Sequence, residues 1–363
     1  MSDLPTFGAE EEFLLVHPRT GEPAPRNAAV AAEGERLGIE LQVELSSCQV
    51  ETTSSVMSTS AELQEELARL RRVSAQAAEA AGVTLLASGL PPATPHEFPV
   101  TDTPRYRRIG EQYGMVAHEQ GICGCHVHVQ VPDRPPPSTS ATGCGRGCRR
   151  CSRCRPIRRC IATPRAATRA GAACCGGAGL PPGAAVLPSP DDYDRAVRML
   201  VDTGVILDPK MIYWDVRPSA NFPTVEVRVA DVPATVAETV LIATLIRAAV
   251  MTALDAPDEG DQLGRLPPGA LRAAYWKAAH DGLSGDALDL IRGRGAVPAR
   301  EQLGALVSRV RPALEVLGEY DRVTGELDRI AADGNGAIRQ LRAWRKRGKV
   351  MDVVEQLRVA TLG

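Results

Sequence analysis

No apolar run in this chain was expected to reach the roughly 18 residues of a membrane span. The opening "MSDLPTFGAEEEF" has neither the basic start nor the apolar stretch of a secretory signal. From these absences the expectation is a cytoplasmic protein with no membrane partner. A reducing compartment argues against structural disulfides, so ten cysteines point first to metal binding or catalysis. Their distribution changes that reading. Seven of them (Cys144, Cys148, Cys151, Cys154, Cys160, Cys174 and Cys175) lie between Pro135 and Leu187, a stretch with nine arginines and no acidic or aromatic residue. The slightly wider stretch from Arg134 to Pro190 holds ten arginines and no lysine, and outside it 32 basic residues face 44 acidic ones. The formal net charge of -2 is therefore an average of two unlike parts. With 363 residues and 44% hydrophobic content the chain is globular and long enough to bury a full core.

Along the chain, "TFGAEEEFLLV" and "GIELQVELSSCQVETTS" read as strand regions. Between a Ser or Thr cap and Gly82, "TSAELQEELARLRRVSAQAAEAAG" has the apolar period of a helix, and "VTLLASGLPP" returns to strand. In "GICGCHVHVQVPD", His126, His128 and Gln130 alternate with valines and share one strand face. Past the cysteine-rich segment, "DDYDRAVRMLVDTGVI" reads as a helix, and "IYWDVRPSANFPTVEVRVADVPAT" as two antiparallel strands. From about Val236 onward a series of amphipathic helices is expected. Strands first and helices last predict an α+β fold.

Glu10 and Glu12 place two carboxylates side by side on one strand face. Such a pair repels unless a proton or cation intervenes or both groups face water. Either a metal site or an exposed edge satisfies the pattern. Glu44 with Glu51 and His126 with His128 extend the acidic and imidazole set, and "CGCHVH" also permits a zinc site, though its spacing departs from the usual knuckle. Glu226 and Arg228 in "TVEVRV" fit a surface ion pair as well as a site.

Taken together and in order, "GAEEEF", "ELSSCQVE", "GCHVHV", "WDVRPS", "TVEVRVADVPAT" and "GNGAIRQLRAWRKRG" resemble the carboxylate-amine ligase family related to glutamate–cysteine ligase type 2. The resemblance implies one domain over 1–363, with a curved antiparallel sheet and helices packed on one face, like the glutamine synthetase catalytic domain. It implies ATP and Mg2+ as cofactors and small-molecule substrates, namely glutamate with cysteine or another amine, the activity being weak. Glu10, Glu12, Glu44, Glu51, His126 and Glu226 would ligate two or three magnesium ions, Arg228 would face the transferring phosphoryl group, and Arg217 would hold substrate carboxylate. No nucleic acid is implied, and a homodimer is permitted.

Three readings compete for the cysteine-rich segment. Cys144, Cys148, Cys151 and Cys154 approach zinc-cluster spacings, and the arginines could bind phosphate backbones. The third reading is a shifted reading frame over about 135–187. Read one base out of register, the stretches beginning at Ala141 and Ala166 can encode peptides containing "LRPWLP" and "GYASWR", which look like the family's own central region. The frame would be lost just after "VPDR" and regained before "DDYDRAV", and the printed stretch would be disorder-prone. Of the three, the shifted frame is the one expected.

Overall fold

A computed structural model describes residues 4–93, 97–131, 190–219, 221–255, 269–290 and 292–363. The reading of 135–187 as disordered or poorly packed lies outside these residues, as do the zinc and arginine-arm readings of the same stretch. The strands are β1 (Phe7–Val16), β2 (Gln42–Val43), β3 (Gln49–Thr53), β4 (Thr84–Leu86), β5 (Gly124–Gln130), β6 (Val216–Pro218) and β7 (Thr224–Asp231). They form one antiparallel sheet in the order β2-β3-β1-β5-β7-β6, with β4 also paired to β1. Connected helices are α1 (Asn27–Arg36), α2 (Ser60–Ala80), α3 (Pro104–Tyr113), the single turn α4 (Met115–His118) and α5 (Pro190–Asp202). After the sheet come α6 (Val236–Asp255), α7 (Ala270–Asp281), α8 (Ala299–Leu317), α9 (Tyr320–Asp333), α10 (Gly336–Arg347) and α11 (Val350–Leu362).

The α+β expectation holds, with two departures. Strands and helices interleave in the first half, and a hairpin of β8 (Asp286–Asp289) with β9 (Gly295–Pro298) interrupts the helical second half. The second correction concerns apolar length. The α6 sequence "VAETVLIATLIRAAVMTALD" is long and apolar enough to cross a membrane by length and composition alone, yet 78% of its most apolar window is buried in the protein. It is the helix on which the sheet's apolar face rests.

Strand alternation explains that layer. Phe7, Ala9, Val127, Val129, Val225, Val227 and Val229 point to one side and form a continuous core with α6 and α8. The helix α2 starts where the sequence pattern puts it, because Thr59 accepts from the Glu62 backbone N–H while the Glu62 carboxylate accepts from the Thr59 backbone. A buried hydrogen bond of 2.8 Å between Ser60 Oγ and Thr244 Oγ1 then ties α2 to α6.

Candidate active site

The face opposite the helices carries the charged set. Cross-strand register places Glu12 opposite Glu51, Glu10 opposite His126, His128 opposite Glu226, and Glu226 opposite Arg217. Alternation along each strand then brings these side chains into one cluster, with Arg228 two residues beyond Glu226 on the same strand face. Glu44 is not on a strand; it lies in the connection between β2 and β3. The eight residues given site roles from sequence thus belong to one neighbourhood, seven of them within 4.0 Å of another member and Glu44 through the field it shares with Glu12, Glu10 and Glu51.

His126 is the hub. Its Nδ1 is 3.0 Å from Glu10 Oε2 and 3.2 Å from Arg228 Nη1, and its Nε2 is 3.7 Å from Glu12 Oε1. The ring can donate from Nδ1 to Glu10 or accept there from Arg228, but not both in one protonation state. Glu226 takes the Arg217 guanidinium side-on, Nε to Oε2 at 2.6 Å and Nη2 to Oε1 at 3.1 Å, and also pairs with Arg228. Arg217 therefore enters the cluster through Glu226, and it donates further to the Ile212 carbonyl at 2.7 Å. The Gly124 backbone N–H donates to Glu12 Oε2 at 2.6 Å, and a Cβ at that position would meet His126 Nε2 at 3.0 Å. A side chain there would make the His126 ring yield by a few tenths of an ångström, while Glu12 Oε2, at 3.5 Å, stays at ordinary contact.

His128 is the member that the family resemblance passed over. Its Nε2 stands 3.2 Å from Glu10 Oε1 and its Nδ1 3.1 Å from Thr224 Oγ1. The "HVH" alternation already carried the signal. The cysteines behave differently from the zinc reading of "CGCHVH". Cys123 and Cys125 are buried, burial pushes both thiols well above their ordinary range, and neither joins His126 in a ligand group. Among the described residues, two sets bring ligand atoms within 4.8 Å of one another: Glu10, His126 and Glu226, and Glu12, Glu51 and His126. A cavity of about 260 Å³ bounded by Ser88, Asp231, Glu238, Asn335 and Gln340 includes none of these groups.

Five carboxylates here face two guanidiniums, and the titration behaviour shows the shortfall. Burial, with the Glu12 charge beside it, pushes Glu44 up to about 8. Burial and the charges of Glu44, Glu10 and Glu12 hold Glu51 well above the usual carboxylate range. For Glu10, burial is outweighed by hydrogen bonding and charge from His126 and His128, so its carboxyl lies far below that range. For Glu226, burial is outweighed by Arg228 and Arg217, which bring it down to about 2. Glu44 thus favours its protonated form at neutral pH unless a cation takes the proton's place, and the same burial and charges push Glu51 in that direction. Mostly carboxylate oxygens with one imidazole suit a hard divalent ion such as magnesium.

A pH dependence of stability follows. Between the ordinary value of 4.5 and about 8, the folded protein holds a proton on Glu44 that the unfolded chain has released, so its stability falls as pH rises through that window. Glu226 acts oppositely: its contribution is present above 4.5 and is lost only as pH falls toward about 2. In EDTA, the melting temperature is expected to decline from pH 5 to pH 8, and millimolar Mg2+ or Mn2+ is expected to remove the decline. A flat profile in EDTA by calorimetry would contradict this charge balance.

Comparison with known proteins identifies the family to which the chain belongs. The family model described as glutamate–cysteine ligase family 2 matches residues 6–139 and 171–356, leaving a gap within the cysteine- and arginine-rich segment. A protein of Mycolicibacterium smegmatis that carries the provisional name glutamate–cysteine ligase 2-3 is 52% identical, covering 100% of both chains. One of Nocardia farcinica, provisionally named glutamate–cysteine ligase 2-1, is 48% identical over 99% of this chain and 94% of its own. Among solved structures, the bifunctional glutathione synthetase of Pasteurella multocida superposes with a TM-score of 0.65 at 13% identity, covering 99% of this chain and 52% of that one. The glutamate–cysteine ligase of Francisella tularensis in complex with AMP gives 0.63 at 13% identity, covering 100% and 90%. At such identities these two structures speak to the fold alone.

Proposed function

Because the chain belongs to glutamate–cysteine ligase family 2, we propose that it is an ATP-dependent ligase that activates the side-chain carboxylate of glutamate and joins it to the amine of cysteine or a similar amine. In this reading ATP phosphorylates the carboxylate, the amine attacks the resulting acyl phosphate, and phosphate leaves as the amide forms. Activation is needed because a carboxylate is a poor electrophile at neutral pH. The observation that carries the reading is the direct opposition of Glu12 and Glu51 across two strands, crowded by Glu10 and Glu44. Like charges in register are destabilising, and a cation resolves them.

Glu10, Glu226 and His126 would hold one magnesium ion, and Glu12, Glu51 and His126 would hold or share another, with Glu44 adjoining. When bound, magnesium supplies charge neutralisation on the phosphate oxygens and on the approaching carboxylate. Arg228 offers a permanently charged fork to the oxygens that gain charge in transfer. Its anchor on Glu226 keeps it aimed without free rotation. Arg217, on the other side of Glu226, is the candidate for substrate carboxylate. The Francisella ligase of the same fold was solved with AMP, and ATP is the nucleotide proposed here. We place the enzyme in the cytoplasm, acting on small molecules.

Purified protein with Mg-ATP is expected to release phosphate only when glutamate and an amine are both present, with γ-glutamylcysteine identified by mass spectrometry. Metal-dependent cleavage of an amide or ester that needs no ATP would make the site a hydrolase, and stoichiometric zinc without turnover would favour a zinc or nucleic-acid reading. We further propose that residues about 135–187 are read out of frame and that the chain as printed turns over weakly.

A further inference from the structure

Glu10 and Glu12 flank a residue that faces the other way. Glu11 is completely buried on the helix side of β1, and its carboxylate is gripped by Arg71 of α2, which is equally buried. The grip is a fork: Nε to Oε2 at 3.0 Å and Nη2 to Oε1 at 2.6 Å, with Thr239 Oγ1 donating to Oε1 at 2.6 Å. The rest of the guanidinium reaches backbone carbonyls. Nη2 donates to Pro233 at 2.9 Å and Nη1 to Ala234 at 3.0 Å, both in the connection that leaves β7 for α6, and Nη1 lies 3.5 Å from the Thr361 carbonyl in α11. The fork's carbon also stands 5.6 Å over the Phe13 ring.

One side chain therefore holds β1 between two carboxylates of the site and also holds the exit of β7, the strand that carries Glu226 and Arg228. These two strands are not neighbours; β5 lies between them. We infer that Arg71, through Glu11, is a positioning residue that fixes β1 and β7 relative to each other and so sets the spacing of the carboxylates that receive the metal. The inference rests on the magnesium-ligase reading above. A rotation of β1 about its axis moves Glu10 and Glu12 together, and the bidentate hold on Glu11 is the contact that opposes this rotation from behind. The distance over which the ligand geometry tolerates error is short, since supporting contacts behind metal ligands commonly change affinity by 10–100-fold.

Removing one partner strands a buried charge and damages folding for reasons unrelated to the site. The informative variant is the double replacement Glu11→Leu with Arg71→Met, which removes both charges and keeps the volume apolar, a change that buried pairs often tolerate. Mn2+ alone serves as probe, followed by electron paramagnetic resonance on the full chain, with circular dichroism to verify the fold. Expected is a Mn2+ dissociation constant about 10-fold or more weaker than in the parent, and in turnover a rise in the Mg-ATP KM with a smaller change in kcat. A folded double variant that binds Mn2+ within about twofold of the parent would overturn the inference and leave the ligase reading standing. A parent chain that binds no Mn2+ would overturn both. If the double variant does not fold, Thr239→Val, which removes one hydrogen bond to Glu11 Oε1 and keeps both charges, is expected to weaken Mn2+ by a few-fold; unchanged binding there would overturn the inference as well.

Discussion

An Arg228→Met chain is expected to lose roughly 10³-fold in glutamate-dependent phosphate release relative to its parent, the scale seen when a charged fork is withdrawn from a transferring phosphoryl group. The same chain is expected to bind Mn2+ at least as tightly as the parent. The two effects have opposite signs for one reason. Arg228 lies among the acids and lowers the pKa of both Glu44 and Glu51, so its charge stabilises their carboxylate forms and also repels any cation placed between them. Without it, the transferring group loses its partner while the metal loses a competitor. Glu226 keeps the two-point hold of Arg217, so the substitution does not leave that carboxylate alone in the protein. Arg228→Lys restores the charge but not the planar fork, and is expected to recover only part of the rate. Steady-state kinetics with Mn2+ titration reads both quantities. Loss of rate together with loss of metal binding would mean that Arg228 merely supports the cluster.

How far such a site can be read without coordinates depends on whether its determinants are local. The strands β5 and β7 were legible because "HVHVQ" and "TVEVRV" alternate polar with apolar residues, whereas β1 and β3 lie within strand-like runs whose alternation is weaker. The cap of α2 was legible because Thr59 and Glu62 lie three residues apart. The family motifs named six ligands and two arginines, and all of them lie about one sheet face. The pairing that brings them together was not legible, since Glu12 meets Glu51 and Glu10 meets His126 across long loops. Glu11 escaped notice for the same reason: its partner Arg71 is 60 residues away. The hairpin β8–β9 was missed because four-residue strands are too short to show a period. For α6, the unbroken apolar composition that makes a core helix was broken by Arg247 and Glu238, and these hid its length. Both are buried, Arg247 over the Phe7 ring and Glu238 between Arg329 and Arg339.

Restoring the second reading frame across about 135–187 is expected to raise glutamate-dependent phosphate release by about 10²-fold or more, the penalty that misplaced substrate contacts commonly carry. The printed stretch has nine arginines and no acid to pair with them, and only Ile157, Ile161, Leu180, Val186 and Leu187 as large aliphatics, so it has little with which to cover an apolar surface. The alternative frame supplies tryptophans, whose single codon needs a glycine codon after a suitable base and therefore arises by chance less readily than most residues. Beyond the segment in sequence, Tyr193 of α5 meets Trp214 edge-on at 5.3 Å, within a cluster that joins α3, α5 and the approach to β6. The match to the family model breaks at 139 and resumes at 171, inside the same stretch. None of the candidate ligands falls there, so the printed chain retains every carboxylate of the proposed site and is expected to bind Mn2+ as the restored chain does. Equal metal affinity with unequal turnover would assign the segment to substrate contacts. Sequencing of the DNA across the codons for Val131 to Tyr193 supplies the independent check, with one base gained and one lost expected near the two junctions. An unaltered reading frame together with normal turnover of the printed chain would refute the shift and require that cysteines and arginines complete the site in place of tryptophans.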